Sequence, residues 1–193
     1  MTRRVVVGMS GASGAIYGIR VLEALRSAVD VEIHLIVSSG AAATIGYETS
    51  WTVDRVRGLA HHVHDEKDLA ATLASGTFLT HGMIVAPCSI RTLSSVANSL
   101  NDNLITRAAD VHLKERRPLV LMVRETPLHA GHLGLMREAS LAGATILPPV
   151  PGMYTLPKTI DDVVNHSVGK ALDQLGIEHT LFPRWAGIEP KEA

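Results

Sequence analysis

A single cysteine, Cys88, stands in a chain of 193 residues, so no internal disulfide framework can form and the composition suits a reducing compartment. Aromatic residues are also scarce. They make up 4% of a chain that is 46% hydrophobic, so the core must be built from Val, Leu, Ile and Ala, as buried parallel strands between Ala-rich helices are. Net charge is nearly absent, at -1, which argues against nucleic acid as a general partner. No apolar run approaches membrane-spanning length. The stretch Val5-Val6-Val7 after Arg3-Arg4 is too short for a signal-peptide core, so a cytoplasmic protein without a membrane span is expected.

Several ligand motifs are missing as well. The early glycines fall at positions 8, 11, 14 and 18, so G-x-G-x-x-G is absent, and the strand expected at 31–37 ends in Ser38-Ser39-Gly40 with no acidic residue to hold a ribose. There is no Walker lysine. Gly8-Met9-Ser10-Gly11-Ala12 lacks the last glycine of a serine-hydrolase elbow. What is present is a short apolar strand, then Gly8-Met9-Ser10-Gly11-Ala12-Ser13-Gly14, then an amphipathic stretch. Small residues let the backbone approach a phosphate, and the following helix offers N–H groups and its dipole. A single-phosphate ligand is left, with a flavin mononucleotide (FMN) as the natural candidate.

The periodicity predicts one α/β domain over residues 1–193, three-layered and doubly wound (Rossmann- or flavodoxin-like) around a mainly parallel sheet. Strands are expected at 5–8, 31–37, 82–87 (stopped by Pro87), 118–123 and 145–147. Helices are expected at 15–28, 40–48, 92–99, 104–115, 128–142 and 160–175. Ligands of such sheets sit at the strands' carboxyl ends, and the unusual residues of this chain lie there.

After the strand ending at Pro87 comes Cys88-Ser89-Ile90-Arg91-Thr92, which offers two hydroxyls and a cation at a helix start. Ser89 suits equally a plain N-cap, with Arg91 and Thr92 solvated, and both readings stay open. The strand at 118–123 ends in Arg124-Glu125. Arg124 can grip a phosphate with two hydrogen bonds and Glu125 can carry a proton; a structural salt bridge is the other reading. His61-His62-Val63-His64-Asp65 and His129-Ala130-Gly131-His132 invite a metal, but neither brings a third and fourth ligand at a recognisable spacing, so no metal is expected. Cys88 reads as packing. Trp51 and Trp185 read as aromatic walls or docked surface residues.

Six segments occur in order: Gly11-Ala12-Ser13-Gly14, Pro87-Cys88-Ser89-Ile90-Arg91-Thr92, Thr106-Arg107-Ala108-Ala109-Asp110-Val111, Leu113-Lys114-Glu115-Arg116-Arg117, Arg124-Glu125-Thr126-Pro127-Leu128 and Pro148-Pro149-Val150-Pro151. Together they resemble the flavin prenyltransferases of the UbiX type, from about Val5 to Gly187. The resemblance implies transfer of a dimethylallyl group from dimethylallyl monophosphate to N5 and C6 of reduced FMN, making the prenylated FMN used by a separate UbiD-type decarboxylase. By position, Gly11, Ala12, Ser13 and Ser38 would hold FMN, with Ser89, Ile90, Arg91, Thr92 and Arg124 completing its site. Lys114, Arg124, Tyr154 and Lys170 would bind the donor's phosphate, and Trp185 would wall the prenyl pocket. Glu48 and Glu125 would handle protons, with Ser13 and Tyr154 beside them as catalytic residues.

The resemblance also implies a homo-oligomer, often a dodecamer, with sites shared between neighbouring subunits. Asp161-Asp162 is followed by Val163-Val164-Asn165, so the aspartate-rich D-D-x-x-D of magnesium-dependent prenyltransferases is missing, and a metal-free monophosphate reaction is expected. Three departures stand out. Lys170 sits where many relatives have arginine, Gly152-Met153-Tyr154 replaces an expected Ala-Phe-Tyr, and residues 179–183 vary within a C-terminal tail (about 176–193) expected to pack over the active site or a neighbouring subunit. Other readings are an FMN-binding accessory subunit of a hydroxyarylic acid decarboxylase, a decarboxylase acting directly on such acids, and a cysteine-decarboxylase-like flavoprotein.

Overall fold

A computed structural model describes residues 2–185 and 187. Its single sheet has six parallel strands, β1 (Arg3–Met9), β2 (Val31–Val37), β3 (His62–His64), β4 (Gly82–Cys88), β5 (Leu119–Val123) and β6 (Thr145–Ile146), in the order β3-β2-β1-β4-β5-β6. That is the Rossmann order of the doubly wound fold, with its topological switch point between β1 and β4. The helices are α1 (Ala15–Ser27), α2 (Ser39–Glu48), α3 (Val53–Arg57), α4 (Ile90–Ala97), α5 (Leu104–Lys114), α6 (Ala130–Ala142) and α7 (Ile160–Gln174).

Alternation along the strands sorts the core into two layers. Val5, Val7, Ile33, Leu35, Ile84 and Met122 face α1, α2 and α7, while Val6, Ile36, Met83, Val85, Leu119 and Leu121 face α4, α5 and α6. Both sheet faces are apolar, which is why the central strands read as continuous Val/Ile/Leu runs. Gly18 lets α1 lie directly on β4: a Cβ there would stand 2.2 Å from the Ala86 carbonyl oxygen.

The structure departs from the expected elements in places that have local causes. α3 and β3 carry no apolar run; β3 is a three-residue edge strand, His-Val-His, held by pairing with β2 rather than by burial. β4 passes through Pro87 to Cys88 by way of a register shift between Val85 and Cys88, instead of stopping at the proline. α4 starts at Ile90, two residues early, because Ser89 caps it. Among the described residues no helix is long and apolar enough to cross a membrane. Part of the expected tail, residues 186 and 188–193, lies outside the described residues.

Candidate functional site

At the switch point the ends of β1 and β4 are tied by one buried hydroxyl. Ser10 Oγ donates to the Pro87 carbonyl at 2.9 Å and accepts from the Ser89 amide at 2.8 Å. Ser38 N donates to the Met9 carbonyl at 3.0 Å, and Arg124 N donates to the Cys88 carbonyl at 3.1 Å. Four strand ends are thereby fixed around a cleft of about 550 Å³, lined by Ser10, Gly11, Ser38, Ser89, Thr92 and Thr106, with Ile90, Arg91 and Glu125 also on its wall. Gly11 lies so close to Gly40 that a Cβ on it would sit 3.0 Å from the Gly40 Cα.

Ser38 and Ser89 are N-caps. Ser38 Oγ accepts from Ala41 N at 3.1 Å, and Ser89 Oγ accepts from Thr92 N at 3.2 Å and donates to Thr92 Oγ1 at 3.0 Å. The two readings of Ser89 are therefore compatible: it caps α4 and faces the cleft. Arg91 is exposed and pairs with Asp102 at 3.4 Å. Cys88 is fully buried, and burial pushes its thiol up to about 12, so it packs and is no nucleophile.

A second group surrounds the start of α1. Gly14 caps it in the left-handed conformation, φ 99°, and has no side chain with which to satisfy the helix amides. Glu48 satisfies them instead. Its Oε2 accepts from Gly14 N at 2.7 Å and from Ala15 N at 3.1 Å. Partial burial alone would raise the Glu48 pKa, but these bonds, one from Ser13, and the charge of Arg124 hold the carboxyl below its ordinary value. The expected phosphate cradle at this helix start is thus occupied by a carboxylate. Ser13 turns toward Glu48, and neither it nor Ala12 is part of the cleft lining.

The C-terminal residues form a third group. Tyr154, on a single 3-10 turn (Met153–Thr155), meets Trp185 edge to face, ring centroids 5.7 Å apart. Lys170 on α7 lies 4.0 Å from Asp173. The segment running to Trp185 is tethered by Asp173, which accepts from Arg184 at 2.7 Å and pairs with His179 at 3.2 Å. Trp51 packs against the first core layer beneath the Arg55 guanidinium, which lies 3.7 Å over its ring.

Lys114 stands apart from all three groups. It ends α5 beside Gly76, shortly before β5 begins, and so lies at the amino end of the sheet, where its partner is Glu115.

Ser10 belongs to the loop read as phosphate-binding, whereas sequence spacing missed Glu66, Lys67, Asn103 and Thr106, all in the cleft wall. Asn103 and Thr106 carry a readable signal, an N-cap and its N3 residue in a capping box. Glu66 carries none, since only the fold brings its carboxylate to the Ser39 amide at 2.9 Å. The fold also supplies partners for the histidine run: Glu32 Oε1 lies 3.0 Å from His34 Nε2 and 3.2 Å from His62 Nε2. The Arg4 guanidinium also stands 3.4 Å from that same oxygen. A larger open hollow, about 680 Å³, lies between α1 and residues 178–184, away from the strand ends.

The Flavoprotein family matches residues 1–171. The flavin prenyltransferase UbiX of Thauera aromatica is 59% identical over 189 residues, covering 98% of this chain and 97% of its own length. AnUbiX, solved in complex with FMN and dimethylallyl pyrophosphate, superposes with TM-score 0.95 at 50% identity, covering 98% of this chain and 100% of that one. The dodecameric FMN-dependent UbiX-like decarboxylase from Escherichia coli O157:H7 gives 0.93 at 47%, covering 95% and 100%. A Rossmann-ordered sheet, a hydroxyl-lined cleft at its switch point and identity over nearly the whole length converge: the chain belongs to the flavoprotein family and, within it, to the UbiX flavin prenyltransferases.

Proposed function

We propose that this chain binds reduced FMN in the strand-end cleft and joins to it the dimethylallyl group of dimethylallyl monophosphate without a metal ion, making the prenylated FMN that a separate UbiD-type decarboxylase uses. The observation that carries this reading is the cleft of about 550 Å³ at the switch point, in a chain of this family. Its residues fit a flavin nucleotide. The close backbones of Gly11 and Gly40 leave a wall without side chains, while Ser10, Ser38, Ser89, Thr92 and Thr106 bring hydroxyls to it and Arg91 brings a cation. When bound, the flavin supplies ring positions N5 and C6 as the acceptors of the prenyl group.

The chain's own residues have other tasks. Cleavage of an allylic C–O bond places negative charge on the departing phosphate, and Arg124, Lys170 and the Tyr154 hydroxyl stabilise it. Lys170 acts as a point charge where arginine would make two bonds. The exposed face of Trp185 stabilises positive charge on the prenyl carbon. Glu125, on the cleft wall, would take up the proton that C6 must lose when the prenyl group bonds there. Glu48, already accepting two backbone amides and ionised, holds the loop with Ser13 and can act on a proton only as an acceptor. Lys114 reaches a site only from a neighbouring subunit, so the protein acts as a homo-oligomer; the dodecameric relative supports that assembly. Its compartment is the cytoplasm, in keeping with the unpaired Cys88.

The test is anaerobic incubation of the purified protein with reduced FMN and dimethylallyl monophosphate, no metal added, then mass spectrometry of the extracted flavin. Because AnUbiX was solved with the pyrophosphate, that donor is run in parallel. Gain of one five-carbon unit with the monophosphate is expected. Unmodified FMN with both donors overturns the reading and leaves an FMN-binding accessory protein.

A further inference from the structure

Tyr154 rests on a histidine that no catalytic assignment above uses. His166, on α7 one turn before Lys170, is 8% exposed, and its Nε2 lies 3.0 Å from the Tyr154 hydroxyl oxygen. The two rings meet edge to face at 5.6 Å, and His166 also packs on Phe182 at 4.9 Å. His166 Nδ1 is buried and has no hydrogen-bond partner among the described residues. The Nε2–H tautomer is the one that leaves no N–H of this ring buried without a partner among the described residues. Burial, reinforced by the Lys170 ammonium, holds the imidazole below its ordinary pKa and therefore neutral.

The geometry points to His166 as a positioning residue: its Nε2–H donates to the Tyr154 oxygen, so the hydroxyl's own proton is aimed away from the protein and toward the phosphate group of the donor. The inference rests on the prenyl-transfer reading above and deepens it. It also accounts for a departure in the sequence, the Gly152 that stands where alanine was expected. A Cβ at position 152 would lie 2.7 Å from His166 Cε1 and 3.2 Å from its Nε2. Glycine at 152 is what gives the imidazole room beneath the tyrosine. The two residues form one device: a cleared backbone position and a buried ring that fixes which way a hydroxyl points.

The experiment compares His166→Leu and His166→Gln with the wild type and repeats His166→Leu in a Tyr154→Phe background, reading kcat/KM for the prenyl donor, FMN affinity and thermal melting. Loss of a hydrogen bond that orients a donor toward a charged group is worth about tenfold. His166→Leu is therefore expected to lose about that factor in kcat/KM while FMN affinity holds, His166→Gln, which keeps an N–H donor, to recover most of it, and the loss to vanish when Tyr154 has no hydroxyl. The inference is overturned if His166→Leu keeps full kcat/KM. It is equally overturned if glutamine rescues nothing, or if the loss persists unchanged beside Tyr154→Phe, since packing alone would then explain it. A wild-type protein that leaves FMN unmodified would instead overturn the prenyl-transfer reading.

Discussion

Glu48 illustrates how much one residue's role depends on partners that sequence spacing does not give. The family resemblance implied a proton-handling role for it; in the structure the glycine that opens α1 leaves two amides to be satisfied, and Glu48 satisfies both. An exposed side chain in such a capping role contributes about 1 kcal/mol. Its pKa is depressed in the folded state, so this stability is fully present above the ordinary value of 4.5 and is lost as pH falls through the lower folded value. Glu48→Gln should therefore melt below the wild type at pH 7, and the gap should close as the solution is acidified past 4.5. Equal melting temperatures at pH 7 would mean that the loop holds itself. Other residues were readable directly: Ser38, Ser89 and Thr92 stand at the expected strand ends because a strand's exit and a helix's cap occupy the same few positions.

At the scale of elements, apolar periodicity made the long helices and central strands legible, since both sheet faces are covered and their residues must be Val, Ile, Leu or Ala. It was blind to β3, whose three residues have no buried face of their own, and to α3, whose five residues bury only Val56. The same limit applied to the histidine run at 61–64, whose partners Glu32 and His34 lie on the adjacent strand β2. Gly18 tests the element packing most sharply. α1 must lie within van der Waals reach of the β4 backbone for the loop ahead of it to meet the cleft, and a Cβ at position 18 would stand 2.2 Å from the Ala86 carbonyl oxygen and 2.7 Å from Met9 Cε. Met9 can shift; the carbonyl cannot without disturbing Pro87, to which Ser10 is bonded. Gly18→Ala should thus cost about 2 kcal/mol or more by urea unfolding and weaken FMN binding in parallel. A stable variant with normal FMN affinity would show that α1 can move outward without consequence for the site.

For the whole molecule, the position of Lys114 decides what counts as an active site. α5 runs antiparallel to the strands, beginning at the cleft with Asn103 as its cap and ending at Lys114 beside Gly76, so its two ends are separated by the depth of the sheet. A cation there can meet phosphate bound at the carboxyl end only across a subunit boundary. Glu125 and Lys114 would then serve one site from two different chains, and that arrangement has an arithmetical signature. Glu125→Gln should retain FMN yet stall transfer, and Lys114→Ala should also be impaired through its donor. Co-expressed in equal amounts, the two inactive chains assemble at random, and a site is whole when its Glu125 comes from the Lys114→Ala chain and its Lys114 from the Glu125→Gln chain. Random closure of a symmetric ring gives such sites about a quarter of the time. Recovery of that fraction of wild-type product in the mixed oligomer is the expected outcome, read as prenylated flavin per bound FMN. If the mixture is no more active than its parents, each site draws both residues from one chain or makes no use of Lys114, and the phosphate must be held by Arg124, Lys170 and Tyr154 alone.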